Sequence, residues 1–232
     1  ELATITTFSD FAFDQKGNMF ISDRLNHQIR KVDPKGNITT IAGTGESGYY
    51  GDGGPASEAA FRDPSALATD KEGNLYIADG ANNLIRKIDT KGIISTIAGN
   101  GKHDNSGDGG PALEASIRNM DYLKVSPKGE LHIVGMNSNI IRKVTRDGKI
   151  VNVAGRGYQG YSGDGGPATK AMLKSPLAIA FDSKNNMYIT DMGNNRIRKV
   201  DANGIISTFA GTGNFGWAQD GETVEIYLHK FP

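Results

Sequence analysis

Ile85-Arg86-Lys87-Ile88-Asp89-Thr90-Lys91-Gly92-Ile93-Ile94-Ser95-Thr96-Ile97-Ala98-Gly99 reads as two short strands about a tight turn, and the pattern returns from Ile29, Ile141 and Ile197. These four starts are 56 residues apart each time, without an insertion. A second signal keeps the same register: Gly-Asp-Gly-Gly-Pro-Ala begins at Gly51, Gly107 and Gly163, and a reduced copy survives at Asp220-Gly221. A fixed period of this length marks a repeat architecture.

Upstream of Ile85, Ser65–Thr69 and Leu75–Ala78 complete the unit as two further strands, separated by Asp70-Lys71-Glu72-Gly73-Asn74 and followed by the turn formers Asp79–Asn83. β-branched and aromatic runs punctuated by Gly, Asn and Asp are hairpin chemistry. Four consecutive antiparallel strands repeated around an axis make propeller blades. The expected fold is all-β, a β-propeller of four 56-residue repeats (9–64, 65–120, 121–176 and 177–232), with residues 1–8 as an N-terminal edge or closing strand. Four blades either close as a small ring or form part of a larger one completed by an oligomer or a longer parent chain. Leu2–Thr7 and Thr223–Leu228 both alternate like strands, and are expected to pair or to cap blade edges, which otherwise invite association. Each Pro-Ala connector predicts one helical turn with Pro at its start.

Composition narrows the function. The 232 residues carry 26 Lys+Arg against 26 Asp+Glu and no Cys. Zero net charge argues against a nucleic-acid or anionic-membrane binder. Without Cys there is no thiol nucleophile and no disulfide framework, and no apolar run reaches the ~18 residues of a membrane span. A chain opening at Glu1 rather than Met suggests removal of a leader or an upstream part.

Repetition also separates architecture from function, because residues shared by all blades are structural candidates and departures are functional ones. Asp52, Asp108, Asp164 and Asp220 offer one carboxylate per copy, with no Asp-x-Asp ladder. They read as caps of the Pro-Ala turn rather than as calcium ligands. Asp23, Asp79 and Asp191 are expected to fix the loop after the second strand, and the arginines of Ile-Arg-Lys to lie paired or solvated on strand faces. Three residues before the connector Asp stand Tyr49, Asn105, Tyr161 and Trp217. Aromatic rings in a Gly-rich loop either pack on the neighbouring blade or stack on a ligand such as a sugar. The loop residues Asn26, Asn82, Asn137 and Asn194 are expected at the same end, Asn82 and Asn194 as hydrogen-bonding partners of that ligand.

The third repeat departs most. Lys124 replaces Ala12, Ala68 and Ala180; Tyr122 replaces Asp10, Ala66 and Ala178; His132 replaces Phe20, Tyr76 and Tyr188; Gly135 stands where the others have the loop Asp. Tyr122 and Lys124, two apart on the first strand, share a face and together with His132 are the candidates for a site in the central channel. Lys124 serves there as a base with a lowered pKa, or simply reaches solvent. The four histidines fall at different repeat positions and form no symmetric metal ring. No cofactor, metal site or catalytic residue is assigned.

Gly73-Asn-Leu-Tyr-Ile-Ala-Asp79, Asn-Asn-x-Ile-Arg-Lys and Gly-Ile-Ile-Ser-Thr-Ile-Ala-Gly resemble an NHL repeat, and the Gly-Asp-Gly-Gly-Pro-Ala connector is similar to the long variant found in bacterial extracytoplasmic proteins. The resemblance implies a β-propeller, commonly six-bladed, that presents a noncatalytic surface to protein, RNA or other ligands. Similar propellers include lyases and lactonases built around a central metal. The expectation is an extracytoplasmic or secreted recognition module. It binds a glycan or a protein through connector loops on one face, with Tyr49, Tyr161 and Trp217 as its rings, and neither binds nucleic acid nor inserts into a membrane. A channel lyase or lactonase and a pure scaffold are the alternatives.

Overall fold

A computed structural model of the chain describes residues 8–215, so Trp217, Asp220 and both alternating terminal segments lie outside the described residues. Sixteen strands form four antiparallel sheets, each in simple chain order. The first blade comprises β1 (Phe8–Phe13), β2 (Met19–Asp23), β3 (Gln28–Val32) and β4 (Ile38–Ala42). The second comprises β5 (Pro64–Thr69), β6 (Leu75–Asp79), β7 (Leu84–Ile88) and β8 (Ile94–Ala98). The third has β9 (Tyr122–Val125), β10 (Leu131–Gly135), β11 (Ile140–Val144) and β12 (Ile150–Ala154). The fourth has β13 (Pro176–Phe181), β14 (Met187–Asp191), β15 (Arg196–Val200) and β16 (Ile206–Ala210).

Turns between strands one and two repeat one device. Asp14, Asp70 and Asp182 each accept the backbone N–H and the side-chain amide of the Asn four residues on, an Asx-type closure that substitutes for a backbone turn. The loop after strand two ends in a left-handed residue: Asn83 and Asn195 there, His27 in the first blade, with φ of 55°, 50° and 54°. Asn and His tolerate this region better than most residues, so His27 stands in for the loop Asn.

Both faces of an inner blade are covered, so both are apolar. One core joins Phe20, Ile29 and Ala42 of the first blade to Leu67, Leu75, Ile77 and Ile94 of the second, with Phe61 of the connector between them. Two further cores of the same plan join blades two to three and three to four. First strands pack in series, β1 on β5, β5 on β9 and β9 on β13, and among the described residues no comparable packing returns from β13 to β1. Phe11 shows what that means: it is 53% exposed, whereas Leu67, Leu123 and Ile179 at the same repeat position are 3%, 1% and 3% exposed.

The connector is a latch. After β4 it crosses to the second blade, where Gly53 N–H donates to Ile94 C=O, Ile94 N–H donates to Gly54 C=O, and Ala56 N–H donates to Gly92 C=O. The next two connectors repeat this on Ile150 with Gly148, and on Ile206 with Gly204. The outer strands β8, β12 and β16, exposed edges in principle, are thereby closed by the segment arriving from the preceding blade. The helical turn foreseen after each Pro is a single 3-10 turn at Ala56–Glu58 and Ala168–Lys170, without a side-chain cap.

Candidate functional site

Arg86, Arg142 and Arg198 of the Ile-Arg-Lys triplets are the largest fully buried side chains among the described residues; of the two expected states, paired or solvated, they are paired. A bulge recurs at this point in every blade, between Ile29/Arg30, Ile85/Arg86, Ile141/Arg142 and Ile197/Arg198. Bulges re-aim side chains, and here Arg86, Arg142 and Arg198 enter the seam under the incoming connector. Arg86 Nε and Nη2 donate to Asp52 Oδ1 at 3.1 and 2.7 Å, Nη2 to Tyr50 C=O at 3.3 Å, and Nη1 to Ala60 C=O and Asp79 Oδ2 at 3.3 and 3.5 Å. Both guanidinium donors meet the one oxygen Asp52 Oδ1, and such charge-assisted hydrogen bonds are stronger than neutral ones.

The connector aspartates therefore do not cap the Pro-Ala turn. Asp52, Asp108 and Asp164 anchor the latch to Arg86, Arg142 and Arg198 of the next blade. Asp52 also accepts Thr96 N–H at 3.0 Å. Although partial burial opposes it, these hydrogen bonds and the arginine hold its carboxyl below the ordinary range. Asp79, fully buried, binds Arg62 N–H, Asn82 and Arg86, yet burial pushes it up to about 6.

Tyr49 and Tyr161 lie on this frame. The Arg86 guanidinium is 5.0 Å from the Tyr49 ring centroid and 5.6 Å from that of Phe61, so it lies between two aromatic rings. Tyr161 receives Arg196 at 3.9 Å and Arg198 at 4.9 Å. Each phenol hydroxyl turns inward, to Asp52 and Thr96 in one case and to Asp164 and Thr208 in the other. Both rings stay partly in solvent, 51% and 43% exposed, and Tyr50 and Tyr158 add exposed aromatic area on the same connectors, as Phe215 does after the fourth blade. Cation–π stacking of this kind contributes about 0.5–2 kcal/mol per pair and fixes the ring orientation.

Asn82 and Asn194 are committed inward. Each amide donates to a connector carbonyl, Gly48 at 2.9 Å or Gly160 at 2.7 Å, and to the loop aspartate. These bonds place the second loop and the connector at one end of the blade. In the third blade the register partner of Asn82 is Ser138, not Asn137. Buried Ser138 accepts from Asn105, which stands in the tyrosine position.

At the opposite end Phe13, Thr69, Val125 and Phe181, one from each blade, line a cavity of about 400 Å³ together with Lys124. Lys124 is exposed there, in keeping with the snorkelling alternative. Tyr122 is half-buried against the third and fourth blades, its phenol raised chiefly by burial and further by Asp10. His132 faces the fourth blade rather than the channel. Its ring meets Phe181 edge-on at 4.8 Å, and Nδ1–H donates to Glu130 C=O at 3.0 Å. Lys124 and His132 are register partners across β9 and β10, and Tyr122, two residues from Lys124, shares that face; among the described residues no three His, Asp or Glu side chains come together as a metal site.

His132 gives a pH prediction. Burial lowers its pKa from 6.5 to about 4. The unfolded chain takes up a proton near pH 6.5 that the folded chain refuses until about pH 4, so stability falls as pH drops through that window. His132→Phe, the residue of the first blade at this position, removes the loss. Urea midpoints at pH 7.5 and 4.5 should separate parent and variant by about 2 kcal/mol more at the lower pH. The comparison cancels the opposing contribution of Asp79, and an unchanged separation would mean that His132 Nε2 reaches solvent.

The profile of the teneurin NHL domain matches residues 44–106 and 157–221, together more than half of the chain. Teneurin-m of Drosophila melanogaster is 31% identical over 222 residues, covering 84% of this chain and 8% of that protein. The chain thus spans less than a tenth of that curated relative. Virginiamycin B lyase from Staphylococcus aureus superposes with a TM-score of 0.56 at 21% identity, covering 89% of this chain and 56% of that one. An auxiliary nutrient binding protein from Bacteroides ovatus gives 0.63 at 15% identity, covering 91% and 49%. Both structures share the fold, and at those identities they share no more than that. The repeat, the four sheets and the matched profile together place this chain in the NHL-repeat family, with the teneurin NHL domain as its matching type.

Proposed function

We propose that this chain is a noncatalytic propeller module that recognises a protein partner outside the cytoplasm through the connector face. The observation that carries this reading is the pair of exposed rings, Tyr49 and Tyr161, held on buried Arg86 and Arg198 and on the connector aspartates at one end. Rigid aromatic rings with little rotamer freedom to lose are efficient contact residues. A glycan site needs polar groups free to meet hydroxyls, and here Asn82, Asn194, Asp52 and Asp164 are already engaged within the protein. A protein surface therefore suits the rings better than a sugar. The extracytoplasmic placement rests on the resemblance of the long connector to that class of repeat. Support for a module within a longer chain comes from the small fraction of Teneurin-m that it matches.

The test is a binding screen of the purified chain against an array of extracellular protein domains and, in parallel, a glycan array, using the parent and a Tyr50→Ala/Tyr158→Ala variant. Both residues are at least 46% exposed, so the melting temperature should hold within ~1 °C, as for surface changes worth under about 0.5 kcal/mol. Protein hits weakened at least about tenfold in the variant, one or two contact residues' worth, would support the reading. Discrete glycan hits without protein hits would replace it with a lectin-like one.

A further inference from the structure

Three complete latches specify, by repetition, what a fourth would require. In blades two to four the seat consists of an outward-facing N–H and C=O on Ile94, Ile150 or Ile206, the carbonyl of Gly92, Gly148 or Gly204, and a buried arginine fork for the connector Asp. The first blade has the same parts in Ile38, Gly36 and Arg30, and no described residue fills them. Arg30 reaches only Asp23, at 3.6 Å, and its side chain is 20% exposed where Arg86 and Arg198 are 0% exposed. Asp23 is fully buried, and its Oδ2 accepts no hydrogen bond. Met19, Val32 and Ile38 are half-buried where Leu75, Ile88 and Ile94 are buried. Along with the exposed Phe11, this face of β1 to β4 lacks its neighbour.

We propose that the outer edge of the first blade is a docking groove for a Gly-Asp-Gly-Gly-Pro-Ala connector of a further blade of the same repeat. Its aspartate takes the Arg30 fork, its Gly-Gly pair bridges the Ile38 N–H and C=O, and the following alanine donates to Gly36 C=O. The mode is addition to a sheet edge, with main-chain hydrogen bonds giving affinity and one charged pair giving specificity. The three full connectors of this chain are already seated, and its fourth copy keeps Asp220-Gly221 but lacks Gly-Pro-Ala after them. The occupant proposed is a full connector of a further copy of this repeat. The proposal is independent of the tyrosine face.

The test is fluorescence anisotropy of a labelled peptide with the sequence of residues 50–63, titrated with the full chain. Saturable one-to-one binding is expected. It should weaken at least about tenfold with a peptide carrying Asp52→Asn, which removes the ionised partner of the fork. It should weaken similarly with the chain variant Arg30→Gln. Because Arg30→Gln also strips Asp23 of its counter-charge, Ile38→Pro serves as a second variant. It deletes the outward N–H on an edge strand, where Pro is tolerated, and should likewise abolish binding. Absence of saturable binding, or binding indifferent to the Asp52→Asn peptide, overturns the proposal. So does Arg30-dependent dimerisation in sedimentation, which would make a second copy the occupant.

Discussion

Replacing Arg86 with Met will destabilise the protein by about 3–5 kcal/mol, whereas the same replacement at Arg142 will cost about 1–2 kcal/mol. The difference comes from what each arginine leaves behind. Arg86 neutralises Asp79, which is fully buried, as well as Asp52. Arg142 has no inner carboxylate, because Gly135 occupies that position, and its one acidic partner, Asp108, has a side chain 47% exposed that water can resolvate. An uncompensated buried charge is the expensive outcome. For a chain of this length the larger loss corresponds to a fall in melting temperature of about 10 °C. Adding Asp79→Asn to Arg86→Met should recover most of it, since removing both members of a buried pair is often nearly neutral. Thermal melts of the two single variants and the double variant decide the matter, and equal losses at Arg86 and Arg142 would show that Asp79 is not charged in the fold.

Gly99→Ala is the second large effect. Gly99 follows β8 at φ +98°, and a Cβ there would run into the Asn83 carbonyl oxygen. The same collision recurs at Gly43, Gly155 and Gly211, each time with the carbonyl of the left-handed residue that ends the second loop. Here the connector has to cross that loop at backbone contact distance, so the glycine serves close approach as well as its own dihedral angle. Gly92 is the control: its φ is +80°, and a Cβ would meet nothing within 4 Å. Gly92→Ala should therefore cost only the left-handed penalty, about 1–2 kcal/mol. Gly99→Ala adds a backbone shift and should cost about 3 kcal/mol or more. Chemical denaturation of the two variants gives the comparison, and similar midpoints would mean that the crossing has room for a methyl group.

The repeat period and the four-strand unit were legible because Gly, Asn and Asp mark each turn and β-branched residues fill each strand. The arginines were not. In an isolated sheet Leu84-Ile85-Arg86-Lys87-Ile88 would place its charges on a wet face, but a propeller blade has neighbours on both faces. The usable signal lay elsewhere: an arginine and a connector aspartate recur at the same period, 34 residues apart, as Asp52 and Arg86 or Asp164 and Arg198 do. Equal recurrence of opposite charges points to a pair, and reading Asp52 as a local cap missed it. The third blade was legible as a departure, because Lys124, Tyr122 and His132 break the pattern together. What the repeat did not reveal is their surroundings: His132 meets Phe181 of the next blade edge-on, and Lys124 is exposed.

The latch also separates the unit of inheritance from the unit of structure. A 56-residue segment that begins at a first strand encodes one blade together with the latch of the next, because the Asp that closes a blade is encoded ahead of the arginine that receives it. Tandem duplication therefore lengthens such an array without disturbing existing joints, since every new copy brings one donor and one acceptor. An array that grows this way can gain blades one at a time until curvature brings its two unmatched halves together. Ring size then becomes a property of how the ends meet rather than of any single repeat.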